Sequence, residues 1–125
     1  LGIFMKITKK VSKQPRKKHK QLANLPLHRR RKLFSARLSD ALRKETKKRN
    51  VPLRKGDKVK IMRGKFFGKE GKIVGVNLKK LRVFVEGISK KKPNGKERFI
   101  PLQPSNLMIT ELVLTDEQRK KAIGR

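Results

Sequence analysis

The sequence contains no cysteine, so it can form no disulfide framework, offer no thiol nucleophile and build no cysteine-ligated zinc site. Histidine is nearly as scarce. His19 and His28 lie nine residues apart in a basic segment, which argues against metal catalysis, and no metal or cofactor is expected. Acidic residues number 9 against 38 Lys and Arg, and they are scattered beside cations that keep them ionised, so there is no catalytic constellation and an enzyme is not expected. Gly64, Gly68 and Gly71 match no phosphate-binding fingerprint, because no Gly-Lys-Ser/Thr follows them and no crossover helix is available. No apolar run approaches the roughly 18 to 20 residues that cross a bilayer. Leu1-Gly2-Ile3-Phe4 ahead of Met5 is too short for the apolar region of a secretory signal and leads into a basic stretch, so a soluble, intracellular chain is expected.

What the sequence does have is charge of one sign. The formal net charge is +29 on 125 residues, and self-repulsion on that scale calls for a polyanionic partner. The composition changes after Lys55: residues 1–55 carry +18, while residues 56–125 carry +11 and 24 of the large apolar residues Val, Ile, Leu, Met and Phe, enough for one small core. The expected organisation is a basic N-terminal arm with short helices over 1–55, a compact β domain over 56–114 and a C-terminal helix over 115–125. The polar stretch from Lys9 to Gln21 has too few apolar side chains to offset its ordering entropy and is expected to be disordered when free.

Within the arm, Pro26 can open a short basic helix over Leu27–Phe34, and Ser39 can cap a second one running to Lys48. From Gly56 the apolar period becomes two. Val59 and Ile61, then Ile73, Val74 and Val76, then Leu81, Val83 and Val85, then residues from Arg98 to Leu102, and finally Leu107 to Leu112 predict five short strands, which favour a small barrel over a parallel sheet. Asn94-Gly95 predicts a tight hairpin turn that projects Lys90, Lys91 and Lys92 as a cationic loop. Thr115 to Gln118 has capping-box spacing for a terminal helix.

Gly64 and Gly68 bracket Lys65, Phe66 and Phe67 in a loop that can offer cations to phosphates and one ring to an unstacked base, while the other ring packs on the core. Phe84 falls between inward Val83 and Val85, so it should face outward, where packing beneath the arm is favoured about two to one over stacking on a base. Asp57, flanked by Arg54 and Lys55, is expected to be a surface carboxylate in a positive field.

The run from Lys55 to Val76, two strands punctuated by Gly64, Gly68 and Gly71, resembles the KOW motif of ribosomal proteins and transcription elongation factors. Ser12-Lys13-Gln14-Pro15-Arg16-Lys17, Leu27-His28-Arg29-Arg30, Leu38-Ser39, Arg54-Lys55-Gly56-Asp57, Met62-Arg63-Gly64, Val85-Glu86-Gly87 and Pro104-Ser105-Asn106 narrow the choice. In combination they are similar to the archaeal form of the large-subunit ribosomal protein family called L twenty-four in bacteria and L twenty-six in eukaryotes, over most of the chain. That resemblance implies an SH3-like barrel bound to large-subunit ribosomal RNA, acting early in subunit assembly and lying near the peptide exit tunnel among neighbouring ribosomal proteins. It also implies RNA contacts at Lys13, Arg16, Lys17, Lys18, His28, Arg29, Arg30, Arg31, Arg54, Arg63, Gly64, Lys65 and Lys69, to which the reading of the loops adds Phe66 and Lys90 to Lys92. The alternatives are a KOW-type elongation module and a histone-like DNA-binding protein. The long basic arm disfavours the first, and the second would more typically dimerise or present apolar minor-groove wedges.

Overall fold

The computed structural model describes residues 12–124; the expectations that concern residues 1–11 lie outside the described residues. In chain order the elements are α1 (Pro15–Ala23), α2 (Leu27–Leu33), β1 (Ser35–Leu38), α3 (Asp40–Thr46), β2 (Asn50–Pro52), β3 (Lys58–Ile61), β4 (Glu70–Asn77), β5 (Arg82–Val85), β6 (Ser89–Lys91) and β7 (Glu97–Phe99). A 3-10 turn (Pro104–Asn106), β8 (Leu107–Glu111) and α4 (Glu117–Gly124) complete the chain.

The architecture is mainly β. Alternation sets each strand's inner face: Ala36 and Leu38 on β1, Val59 and Ile61 on β3, Val83 and Val85 on β5, and Leu107 and Ile109 on β8 are all buried, with more exposed neighbours between them. These side chains form one core with Phe34, Val51, Leu53, Ile73, Ile88 and Ile123, and each large one that is fully buried stabilises the fold by about 1.5–3 kcal/mol. The main sheet has six strands in the order β2-β1-β8-β3-β4-β5, and β6 and β7 form a separate hairpin. All main-sheet pairings are antiparallel except β1 with β8.

Three strands lie where the sequence led to none: β6, which takes up Lys90 and Lys91 where a cationic loop was expected, and β1 and β2. β1 and β2 precede the composition break, and they enter the sheet because β8 leaves an edge that β1 can join in parallel. Their inward residues complete the core, and Pro52 is tolerated because β2 is an edge strand. One parallel pair therefore sits in a mixed sheet where antiparallel strands alone were expected.

Local chemistry also departs from expectation at three helices. Pro15–Ala23 is helical, started by Pro15 at its first turn and carried by straight-chain Lys, Arg and Gln, although none of its side chains is buried. Ser39 occupies the N-cap position of α3 without a side-chain capping bond. At α4 the cap is Asp116 rather than Thr115: its Oδ1 accepts from the Gln118 N–H at 3.0 Å.

Asp57 lies in the interior, not on the surface as its neighbours in the sequence suggest, and its partner comes from 62 residues away. The Arg119 guanidinium, itself 5% exposed, donates to Asp57 Oδ1 at 2.7 Å and to Oδ2 at 2.6 Å. The same carboxylate accepts from the backbone N–H groups of Arg54 and Val113, both at 3.1 Å. Arg119 spends further donors on the Val113 and Pro52 carbonyls, so the pair ties α4 to β2 and to the turn before β3. No buried polar atom of the pair lacks a partner, which is what allows it to sit in an apolar core.

Candidate nucleic-acid interface

Exposed cations lie on many elements and include groups at both ends of β4. At one end, β3 and β4 are joined by the loop over residues 62–69. The Ile61 N–H donates to the Lys69 carbonyl at 2.9 Å, the Gly68 N–H to the Ile61 carbonyl at 2.8 Å, and the Met62 N–H to the Asn106 carbonyl at 2.8 Å, so the loop is braced from both sides. Gly64 (φ +100°) and Gly68 (φ +85°) occupy the left-handed region that side chains resist. Within this frame Arg63, Lys65 and Lys69 are exposed. Phe66 packs against the core with the Lys69 ammonium 5.2 Å from its ring centre, whereas Phe67 is 67% exposed. Of the two rings, Phe67 is therefore the one free to stack.

The other end carries the basic helices. α1 and α2 form a hairpin whose geometry depends on Arg30. Its Nε donates to the Leu25 carbonyl at 3.1 Å, its Nη2 to the Ala23 carbonyl at 2.7 Å and the Leu22 carbonyl at 3.3 Å, and its Nη1 to the Lys79 carbonyl in the turn between β4 and β5. A guanidinium is suited to this, since its fork neutralises the orphan carbonyls at the end of α1 while reaching a third segment. Arg30 is thus committed to the fold, and the side chains left exposed around it are Lys13, Arg16, Lys17, Lys18, His28, Arg29 and Arg31. Arg54 is also engaged. It pairs with Asp116, whose carboxyl is held below the usual carboxylate range by the Arg54 guanidinium and, secondarily, by the Gln118 N–H. Lys90, Lys91 and Lys92 lie on the β6–β7 hairpin with their surfaces open to solvent.

Charge balance is absent from these surfaces. Among the described residues four ion pairs form, at Arg37–Asp40, Arg54–Asp116, Lys58–Glu111 and Asp57–Arg119. Most of the described cations therefore face solvent without a carboxylate. α2 is the extreme case: Arg29, Arg30, Arg31 and Lys32 follow one another with no acid in its first turn, and Arg29 and Lys32, three residues apart, set like charges side by side.

A basic two-ended surface of this kind fits a nucleic acid, and comparison with known proteins supplies the context. The family described as ribosomal proteins L twenty-six in eukaryotes and L twenty-four P in archaea matches residues 12–125. The chain belongs to this family. It is 50% identical to the large ribosomal subunit protein uL24 of Methanosphaera stadtmanae over 115 residues, which is 92% of this chain and 98% of that protein. It is 48% identical to the large ribosomal subunit protein uL24 of Methanothrix thermoacetophila over 115 residues, 92% and 99% of the two chains. The resemblance carried by the KOW-like stretch and its flanks is therefore to the right family, and membership makes the chain a ribosomal protein of the large subunit.

The family assignment does not by itself say which side chains work. Sequence reasoning assigns Arg30 and Arg54 to RNA, and the structure has them holding protein together. It also misses a groove formed by Asn77, Lys80, Arg82, Phe84, Arg98 and Phe99. Phe84 lines this groove opposite the β6–β7 hairpin rather than packing beneath the arm. The outward parity of Phe84 is the one sequence signal that points there.

Proposed function

We propose that the chain is a structural constituent of the large ribosomal subunit that binds ribosomal RNA, promotes early assembly of that subunit and sits near the peptide exit tunnel of the cytoplasmic ribosome. The observation that carries this reading is the concentration of unpaired, exposed cations on α1, α2 and the 62–69 loop of a protein with net charge +29. Mechanistically the protein acts as an electrostatic staple. Lys13, Arg16, Lys17, Lys18, His28, Arg29 and Arg31 neutralise phosphates at the arm end, and Arg63, Lys65 and Lys69 do so at the loop end, with the Gly64 backbone allowing close approach. Release of counterions from the RNA supplies most of the affinity, and the arm's self-repulsion is relieved in the same step.

The fold in this reading is an SH3-like barrel drawn mainly from 56–114, joined at the β8 edge by β1 and β2 and flanked by the basic helices and the C-terminal helix. It is supported by the antiparallel bridge between Val83 and Leu102 and by the Ile88–Ile100 bond, which bring the chain after β7 back against β5. Footprinting of large-subunit ribosomal RNA with the full chain tests the proposal. Protection that disappears when Lys17, Lys18, Arg29 and Arg31 are replaced together by glutamine supports it, and an unchanged footprint contradicts it.

A further inference from the structure

The groove beyond β5 sets two aromatic rings, the half-buried Phe84 and the exposed Phe99, among cations, where the 62–69 loop offers one free ring. It has a volume of about 560 Å³, within the range of sites that hold a small organic group. Phe84 on β5 and Phe99 on β7 line it, with Lys80, Arg82, Arg98 and Asn77 around them. Phe99 is 42% exposed, and Arg98 and Phe99 also border a second hollow of about 290 Å³ on the Lys90–Lys92 side of the hairpin. The single acid on the groove, Glu97, stands opposite Lys91 in the hairpin register, so the cations facing the groove outnumber it.

We infer that this groove is a further RNA contact, which holds an unpaired base against Phe99, with Phe84 in the groove wall, while Lys80, Arg82 and Arg98 take the adjoining phosphates. The inference rests on the RNA-binding reading given above and adds the site and the state of the RNA. An exposed ring beside guanidinium and ammonium groups suits an unstacked nucleotide, and a duplex, with its bases covered, has no use for it. An acidic peptide would satisfy the cations but leave both rings without a planar partner. The placement matters too. The groove adjoins Asn77 at the end of β4, the 62–69 loop adjoins Glu70 at its start, and seven steps of about 3.4 Å separate the two by roughly 24 Å. The sheet thus bridges two RNA segments, gripping backbone with the loop and a splayed base with the groove.

The test uses the full chain and a large-subunit ribosomal RNA transcript, with Phe99→Ala as the variant because this exposed ring contributes little to the core. Its urea midpoint serves as the folding control. Loss of stacking should weaken binding by roughly five- to a hundredfold, with the slope of affinity against salt unchanged, because a phenyl ring displaces no counterions. Lys65→Ala, in contrast, should make that slope shallower. A second measurement places a photo-crosslinking amino acid at position 99 in assembled subunits. Attachment to RNA supports the inference, and attachment to protein alone overturns it. Affinity of Phe99→Ala within twofold of the parent also overturns it. A flat salt dependence for the unsubstituted chain would instead defeat the RNA-binding reading itself, so the two failures are distinguishable.

Discussion

Replacing Asp57 with alanine removes an acceptor that four donors share. The Arg119 guanidinium, 5% exposed, loses its counter-charge, and the N–H groups of Arg54 and Val113 lose their side-chain acceptor. Breaking a buried ion pair by removing one partner costs about 3–5 kcal/mol, mostly because the other charge remains buried. The two orphaned backbone donors push the value toward the upper end of that range. Against a typical total of about 5–15 kcal/mol, this removes from about a fifth of the stability to all of it. The assay is urea unfolding, read as a fall in the midpoint at constant m-value. Replacing both residues with apolar ones, Asp57→Leu with Arg119→Met, should recover part of the loss, since neither charge is then stranded. A cost below about 1 kcal/mol for Asp57→Ala would refute the claim that this pair fastens α4 to the sheet.

Other perturbations separate structure from binding. Gly71→Ala should destabilise the fold by about 1–3 kcal/mol, because its Cβ would lie 2.6 Å from the Glu86 carbonyl oxygen and 2.9 Å from Val85 Cγ1; thermal unfolding checks this. A Cβ at Gly64 or Gly68 meets no neighbour within 4 Å, so the first strain of Gly64→Val or Gly68→Val is the left-handed backbone, and each should impair RNA docking in a footprinting assay more than Lys17→Ala does. Arg30→Ala should free the α1–α2 hairpin from the β4–β5 turn, seen as lost helical circular dichroism and faster proteolysis around residues 22–25, while the core melts unchanged. Acid should loosen the start of α4. The Asp116 carboxyl is depressed from 3.8, so its contribution is complete above that pH and is lost as pH falls through the lower folded value; exchange of the Gln118 amide would report it, and Asp116→Asn should abolish the pH dependence.

Legibility in the sequence follows the range of the interactions concerned. The strands β3, β4, β5 and β8 can be read because apolar residues alternate along them, and the β6–β7 turn because Asn94-Gly95 favours a left-handed turn conformation. β1 is hidden because Ala36 and Leu38 are only two inward residues inside a basic segment, and β2 because Val51 is a single one. Their strand character comes from the β8 edge, a tertiary fact. Asp57 misleads for a similar reason: its immediate neighbours Arg54 and Lys55 mimic a surface setting, and nothing in the sequence ties it to Arg119 across 62 positions. Arg30 shows the limit for charged residues. A cation that binds RNA and one that binds backbone carbonyls share the same composition, and only the course of the chain around Leu22, Leu25 and Lys79 distinguishes them.

In the function proposed above, exposed, unpaired cations hold this protein on ribosomal RNA, and the dependence of binding on salt tests that claim most directly. If roughly 6–10 phosphates are neutralised, affinity of the full chain for a large-subunit ribosomal RNA transcript should fall by about 10³–10⁵ between 50 and 200 mM salt. An affinity that stays within about tenfold over the same interval would contradict the account, since so few released counterions could not hold a chain of this charge on RNA.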